Sequence, residues 1–228
     1  MSEIVAVIVA AGASTRMGSD KVWADLAGRP VLAYSLDAFT RSGVVDRLVV
    51  VAPAERHEAI TALPCSLPVM TVVGGARRQD SVAAGINAAP DAAFYLVHDG
   101  ARPLVTPALI TRTLEAARGG GAALPGVALV DTIRRVTPDG ALGGVIDRET
   151  LRAVQTPQAF AGDLLRRAHA DVREDVTDDA AMVERLGLHV ALVDGDPANI
   201  KITTPSDLAV AQALLAERRA GTYRERSR

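Results

Sequence analysis

Two cations and a run of small residues near the N-terminus have the types and spacing for phosphate chemistry. Residues 10–21 read AAGASTRMGSDK. The small side chains of Ala10, Ala11, Gly12 and Ala13 let a backbone loop approach a ligand closely. Its N–H groups can then point at phosphate oxygens. Arg16 and Lys21 add two positive charges on the same loop, and together these groups make an anion cradle. The loop lacks the Gly-Lys-Ser/Thr ending of a P-loop, and Gly12 and Gly18 do not fit the dinucleotide glycine pattern. Taken alone it also fits a tight strand-to-helix turn with two solvated basic residues.

Later motifs decide between these readings. GGARRQDSV (74–82) follows a β-prone run and precedes a helical one. Gly74 and Gly75 end the strand with an unhindered backbone. Asp80 and Ser81 stand where the helix begins, able to cap it or to meet a ligand. In LVHDGARP (96–103), Asp99 lies where a buried strand ends. A carboxylate there can hold Mg²⁺ bridging phosphates, and Arg102 can clamp a phosphate bidentately. A local Asp99–Arg102 ion pair is the plainer alternative. His98 is either a base or a hydrogen-bonded structural group. A distal set comprises Arg148, the turn AVQTPQ (153–158) as the entry to a helix, Thr177 in a helix cap, and Lys201 on a short strand, NIKIT (199–203).

These residues need a scaffold, and the hydrophobic pattern supplies one. Apolar runs at 4–10, 47–52, 69–73, 94–98, 122–130 and 189–193 read as strands. Helical periodicity lies near 30–42, 54–62, 78–89, 106–118, 160–172, 177–187 and 205–218. The alternation predicts an α/β fold: a Rossmann-like, mostly parallel twisted sheet with helices on both faces. The cations and carboxylates then fall at the sheet's C-terminal edge, where such sheets bind ligands. Residues 131–150 break the rhythm with two short β-prone runs around Pro-Asp-Gly. They predict a β-hairpin arm, either for a partner subunit or as an ordinary surface hairpin. Residues 1–220 are expected to form one domain and the polar tail, from about Arg218, to be frayed, with 221–228 disordered.

The composition excludes several classes. With 49% hydrophobic but only 3% aromatic residues, the core must be built from Ala, Val, Leu and Ile. A net charge of −2 gives no global field for nucleic acid or membrane. The single cysteine, Cys65, forms no internal disulfide and fits a reducing compartment. No apolar run is long enough to span a bilayer, and no signal pattern opens the chain, so a cytoplasmic location is expected.

The order AAGASTRMGSDK, GGARRQDSV, VHDGARP, DTIRR, AVQTPQAF, TDDA, NIKITTPSDL resembles one family closely, over residues 3–215. These are the 2-C-methyl-D-erythritol 4-phosphate cytidylyltransferases of the non-mevalonate isoprenoid pathway. The resemblance implies transfer of CMP from CTP to that polyol phosphate, with a divalent metal, Mg²⁺, and a homodimer joined through 131–150. The length implies one activity without a fused cyclodiphosphate synthase. Matched residue by residue, Arg16 and Lys21 serve the triphosphate and Lys201 the α-phosphate. Ala10 to Ser14, Gly75, Ala76, Ser81, Asp99 and Gly100 hold the nucleotide. Asp99, Arg102, Thr132, Arg148 and Thr177 meet the acceptor, partly from the neighbouring subunit, and Asp99 faces the metal. Ribitol 5-phosphate as acceptor is the alternative on the same fold.

Three residues depart from the family pattern: Ser14 where a glycine is usual, Ala76 where some relatives are acidic, and Asp20 where proline is common. Asp20 is expected either to loosen the Lys21 turn or to pair with Arg16. The chemistry fits the residues. The attacking phosphate is already anionic near neutral pH, so fixed cations matter more than a strong base.

Overall fold

Ile4–Val9 is buried on both sides because it lies at the centre of a parallel sheet. The computed structural model describes residues 3–12, 20–172 and 174–221. In it, β1 (Ile4–Val9) is followed by β2 (Asp25–Leu26), β3 (Arg29–Pro30), α1 (Val31–Ser42), β4 (Arg47–Ala52), α2 (His57–Thr61) and β5 (Val69–Val73). Then come α3 (Arg78–Asn87), β6 (Phe94–Asp99), α4 (Pro107–Gly120), β7 (Ala122–Ala128), β8 (Ile133–Val136) and β9 (Leu142–Ile146). The chain continues through β10 (Arg152–Val154), β11 (Gln158–Ala161), α5 (Gly162–Asp171), α6 (Asp179–Arg185), β12 (Ala191–Asp194) and α7 (Pro205–Arg219).

Among the described residues eight strands form one sheet, ordered β10-β7-β11-β6-β1-β4-β5, with β12 also on β7. β6, β1, β4 and β5 are parallel to one another, whereas β10 and β11 run antiparallel to their neighbours. Successive residues of β1 serve opposite faces, as a strand requires. Ile4, Ala6 and Ile8 pack with Leu32, Leu36 and Phe39 of α1 and with Leu109 and Leu114 of α4. Val5 and Val7 pack with Val82 and Ile86 of α3, Leu165 of α5 and Met182 of α6. Each fully buried side chain of this size stabilises the fold by about 1.5–3 kcal/mol. α7 covers a third apolar cluster of Leu26, Val31, Tyr34, Leu104 and Ile202. None of the described helices is long and apolar enough to cross a membrane.

The expected arm is present as a separate sheet of β8 and β9, with Ile133 opposite Ile146. Its Val136, Leu142 and Val145 are 69%, 67% and 65% exposed, so one chain alone leaves the arm's apolar residues in water.

Four local expectations are corrected. AVQTPQAF does not lead directly into a helix; it crosses the sheet as β10 and β11, and α5 starts at Gly162. Residues 199–203 form no strand; they are an extended segment tied by single bonds, such as Ile202 N to Ala101 O at 2.8 Å. The 54–62 helix splits into a 3₁₀ turn, Ala54–Arg56, and α2. Arg218 and Arg219 are not frayed but complete α7, and Gly221 N bonds back to Arg218 O at 3.2 Å. Residues 222–228 lie outside the described residues.

Candidate nucleotide and phosphate site

The parallel strands end together, and their C-terminal edge opens into a cavity of about 290 Å³. β1 delivers Ala10, Ala11 and Gly12; Ala10 N is held by Val51 O of β4 at 2.8 Å. β5 delivers Gly75 and Ala76, and β6 delivers Asp99. Lys21 and Lys201 enter from the loops after β1 and before α7. Ser81 lines the same cavity from α3. These expected residues therefore meet in one place. Ala13, Ser14 and Arg16 lie outside the described residues.

The two glycines after β5 are there because the chain is crowded. A Cβ on Gly74 would stand 2.3 Å from Ala11 Cβ, and one on Gly75 would stand 2.3 Å from Asp80 Cβ. Gly75 N donates to Ser81 Oγ at 3.1 Å, which fixes the loop against α3. Asp80 works as a cap rather than a ligand: its carboxylate accepts from Arg77 N at 3.2 Å and from the Arg77 guanidinium at 2.6 Å. Gly100 lies behind the cavity wall, where its N donates to Val9 O at 2.9 Å.

Asp99 is the electrostatic centre. Lys201 Nζ lies 2.7 Å from Oδ2, Arg78 Nε 3.5 Å from Oδ1, and Arg102 Nε 3.8 Å from Oδ2. Burial alone would push the Asp99 carboxyl up, but Lys201, Arg78 and Arg102 outweigh it and hold it well below the usual carboxylate range. Asp99 is therefore ionised across the physiological range. Arg102 has its guanidinium on Asn199 O at 2.7 Å, and its Nε is buried with no hydrogen bond among the described residues. The expected Asp99–Arg102 pair is thus one edge of a larger cluster.

Arg78 was not singled out by the sequence. It spans from Asp99 to Asp179 of α6, whose Oδ2 is 2.7 Å away; Asp179 Oδ1 lies 3.1 Å from His169 Nε2. Two adjacent arginines in GGARRQDSV were the visible signal, but only tertiary structure separates their roles. Both line the cavity, but Arg77 pairs locally with Asp80, while Arg78 ties Asp99 to Asp179.

His98 is structural. Asp99 N donates to Thr156 Oγ1 at 3.1 Å, and that hydroxyl is 3.0 Å from His98 Nδ1. His98 Nε2 lies 3.2 Å from Arg102 O, a pure acceptor, so Nε2 carries the proton and Thr156 donates to Nδ1. Burial pushes the imidazole down to about 4. The unfolded chain therefore takes up a proton between pH 6.5 and 4 that the folded chain refuses. Stability from His98 is complete above pH 6.5 and is lost as pH falls toward 4, about 3 kcal/mol in all. Urea midpoints at pH 7 and pH 4.5 should show that fall, and His98→Gln should flatten it.

Of the residues expected at the acceptor, Asp99 lines this cavity, whereas Arg102, Thr132, Arg148 and Thr177 are not among its lining residues. Thr132 and Arg148 flank the arm, both exposed; Arg148 bonds to Val130 O and lies 3.6 Å from Glu149. Thr177 is exposed just before α6, and Asp178 rather than Thr177 caps that helix, accepting from Ala181 N at 3.0 Å. Among the described residues no group of three or more His, Cys, Asp or Glu is placed to hold a metal ion. One carboxylate beside a phosphate-sized cavity does fit Mg²⁺ that is ligated mainly by substrate oxygens.

Comparisons with known proteins agree on one family. The model of the 2-C-methyl-D-erythritol 4-phosphate cytidylyltransferase family matches residues 4–217. A protein of that name from Nocardia farcinica is 50% identical over 222 residues, covering 95% of this chain and 96% of its own length. One from Rhodococcus jostii is 46% identical over 218 residues, covering 94% and 96%. The crystal structure of the Thermus thermophilus protein of the same name superposes with a TM-score of 0.79 at 40% identity, covering 94% of this chain and 99% of that one. The 4-diphosphocytidyl-2C-methyl-D-erythritol synthase from Anaerococcus prevotii gives 0.84 at 29% identity, with the same coverage. With that cavity at the edge of that sheet, and with likeness along nearly its whole length, the chain belongs to the 2-C-methyl-D-erythritol 4-phosphate cytidylyltransferase family.

Proposed function

We propose that this chain joins CTP to 2-C-methyl-D-erythritol 4-phosphate, giving 4-diphosphocytidyl-2-C-methyl-D-erythritol and pyrophosphate. The observation that carries the reading is the convergence of Lys21, Arg78, Lys201 and Asp99 on one cavity at the C-terminal sheet edge. An acceptor phosphate oxygen attacks the α-phosphorus, a new P–O bond forms, and the bond to the pyrophosphate oxygen breaks. Both reactants are polyanions, so the task is to hold them together and to neutralise charge as it develops.

Lys21 and Arg16 take the β- and γ-phosphates, and Lys201 takes the α-phosphate. The small-residue loop with Gly75, Ala76 and Ser81 takes the ribose and base; with an alanine at 76, base contact there falls to the backbone. Asp99 and Arg102 orient the polyol, as the matched family motif implies. Asp99, with the phosphates of the substrates, would hold Mg²⁺, which would supply neutralisation of the phosphate charge. Thr132, Arg148 and Thr177 receive the acceptor phosphate. Thr132 and Arg148 flank an arm whose apolar residues are exposed in one chain, which supports a homodimer in which the neighbour's arm completes the site. A cytoplasmic location suits the soluble substrates.

Pyrophosphate release tests the reading. CTP with methylerythritol phosphate should turn over, at least 10²-fold faster than UTP or ATP. Ribitol 5-phosphate, which the named relatives do not favour, should be a poor acceptor. Faster turnover with ribitol 5-phosphate would contradict the acceptor assignment.

A further inference from the structure

Lys21 carries a large share of the proposed chemistry, yet it sits on a turn outside any helix or strand of the main sheet. On its C-terminal side the backbone is anchored. Val22 is buried, its carbonyl accepts from Leu32 N at 2.9 Å, and Ala24 O accepts from Val31 N at 3.1 Å. On its N-terminal side the tie is Asp20. Its Oδ1 accepts from Val22 N at 3.3 Å, and its carbonyl accepts from Trp23 N at 3.0 Å. This is a side-chain-closed turn of the kind Asp favours. The other oxygen, Oδ2, reaches across to Arg56 Nη2 at 3.4 Å. Arg56 ends the 3₁₀ turn after β4, so it belongs to the neighbouring strand's crossover. Its guanidinium also lies over the Trp23 ring, 5.2 Å from the centroid, and Trp23 packs on the core beneath α1.

We propose that Arg56 is a positioning residue for Lys21: by gripping Asp20 on one side of the lysine and Trp23 on the other, it holds the turn in the phosphate-binding conformation. Arg56 is not among the residues lining the cavity and acts through the turn alone. Asp20 is expected from the sequence to loosen this turn or to pair with Arg16; its bonds close the turn instead, and Arg16 lies outside the described residues. The planar guanidinium suits both partners at once, which an ammonium does not. A half-exposed ion pair and a half-exposed cation–π contact are each modest. Together they predict about a five- to tenfold effect on kcat/KM for CTP, arising from preorganisation.

The inference rests on the reading of Lys21 as a triphosphate cation, and the test separates the two. Steady-state kinetics are measured for wild type, Arg56→Met, Arg56→Lys, Trp23→Leu, Lys21→Ala, and Arg56→Met combined with Lys21→Ala. Arg56→Met should lose about five- to tenfold in kcat/KM for CTP, while KM for the polyol phosphate moves less than about twofold. Trp23→Leu, which removes the platform and leaves the ion pair, should lose less than Arg56→Met. Arg56→Lys should recover part of the loss. In the Lys21→Ala background Arg56→Met should change the rate less than about twofold, because the group it positions is gone. Equal losses in both backgrounds, or a near-wild-type Arg56→Met in an otherwise normal series, would overturn the proposal. A near-wild-type Lys21→Ala would instead remove Lys21 from the mechanism.

Discussion

Lys201→Met is expected to lower kcat on CTP by about 10²–10³-fold while leaving the fold intact. The ammonium sits 2.7 Å from Asp99 Oδ2 and lines the cavity in which the proposed function places CTP. Methionine keeps the unbranched stem and deletes only the charge. Asp99 retains Arg78 and Arg102 as partners, so it does not become a bare buried anion. The thermal midpoint should therefore move by only a few degrees. Single-turnover kinetics at saturating CTP separate the two effects: chemistry should slow far more than nucleotide binding weakens. Loss confined to KM would mean that Lys201 contributes equally to ground state and transition state.

Arg218→Met should destabilise the protein by about 3 kcal/mol, although Arg218 lies in the last turn of α7, close to the end of the described chain. Asp196 is fully buried, and Arg218 Nη2 meets its Oδ2 at 2.6 Å; the same guanidinium donates to Leu104 O at 2.6 Å. The other carboxylate oxygen accepts from Ala198 N at 2.8 Å, and Asp196 O accepts from Asn199 N at 2.8 Å and from Gln155 Nε2 at 2.8 Å. Asn199 in turn holds Arg102 through its carbonyl and Thr156 O through Nδ2. The pair thus anchors the segment that presents Lys201. Removing one partner leaves a desolvated charge behind, which costs more than the pair contributes. Urea denaturation should show the shift. A loss below about 1 kcal/mol would mean that the segment is anchored by its backbone bonds alone.

The parallel core was legible because its signal is local. Ile4–Val9 and Arg47–Ala52 are continuous β-branched and aliphatic runs that no other element explains. Thr106-Pro107 and Thr204-Pro205 carry the Thr-Pro signal of a helix start, and both threonines cap α4 and α7, accepting from Leu109 N at 3.2 Å and Asp207 N at 3.3 Å. β10 and β11 were hidden because they are three and four residues long, and their partners, β7 and β6, lie far away in the chain. Pro157 between them reads as a turn, and a turn it is, but the pairing on either side is tertiary. The Lys201 segment fails as a strand because its polar groups are met by buried side chains instead of a ladder.

The site divides in the same way. Lys21, Gly75, Ser81 and Asp99 stand in motifs that begin at strand ends, and Lys201 in the segment before α7, so residue type and position together pointed to the residues that line the cavity. Arg78, Arg56 and Arg218 were missed because each acts through a partner far off in sequence, at Asp179, Asp20 and Asp196. Surface arginine is the usual reading of such residues, and only the fold distinguishes a clasp from a solvated side chain.

The most direct test is a crystal structure of the protein with CTP and Mg²⁺ bound. The account requires Lys201 Nζ to leave Asp99 and bond the α-phosphate, with Lys21 on the outer phosphates and cytosine over Gly75. A triphosphate lying away from both lysines, with Lys201 Nζ still 2.7 Å from Asp99 Oδ2, would contradict it.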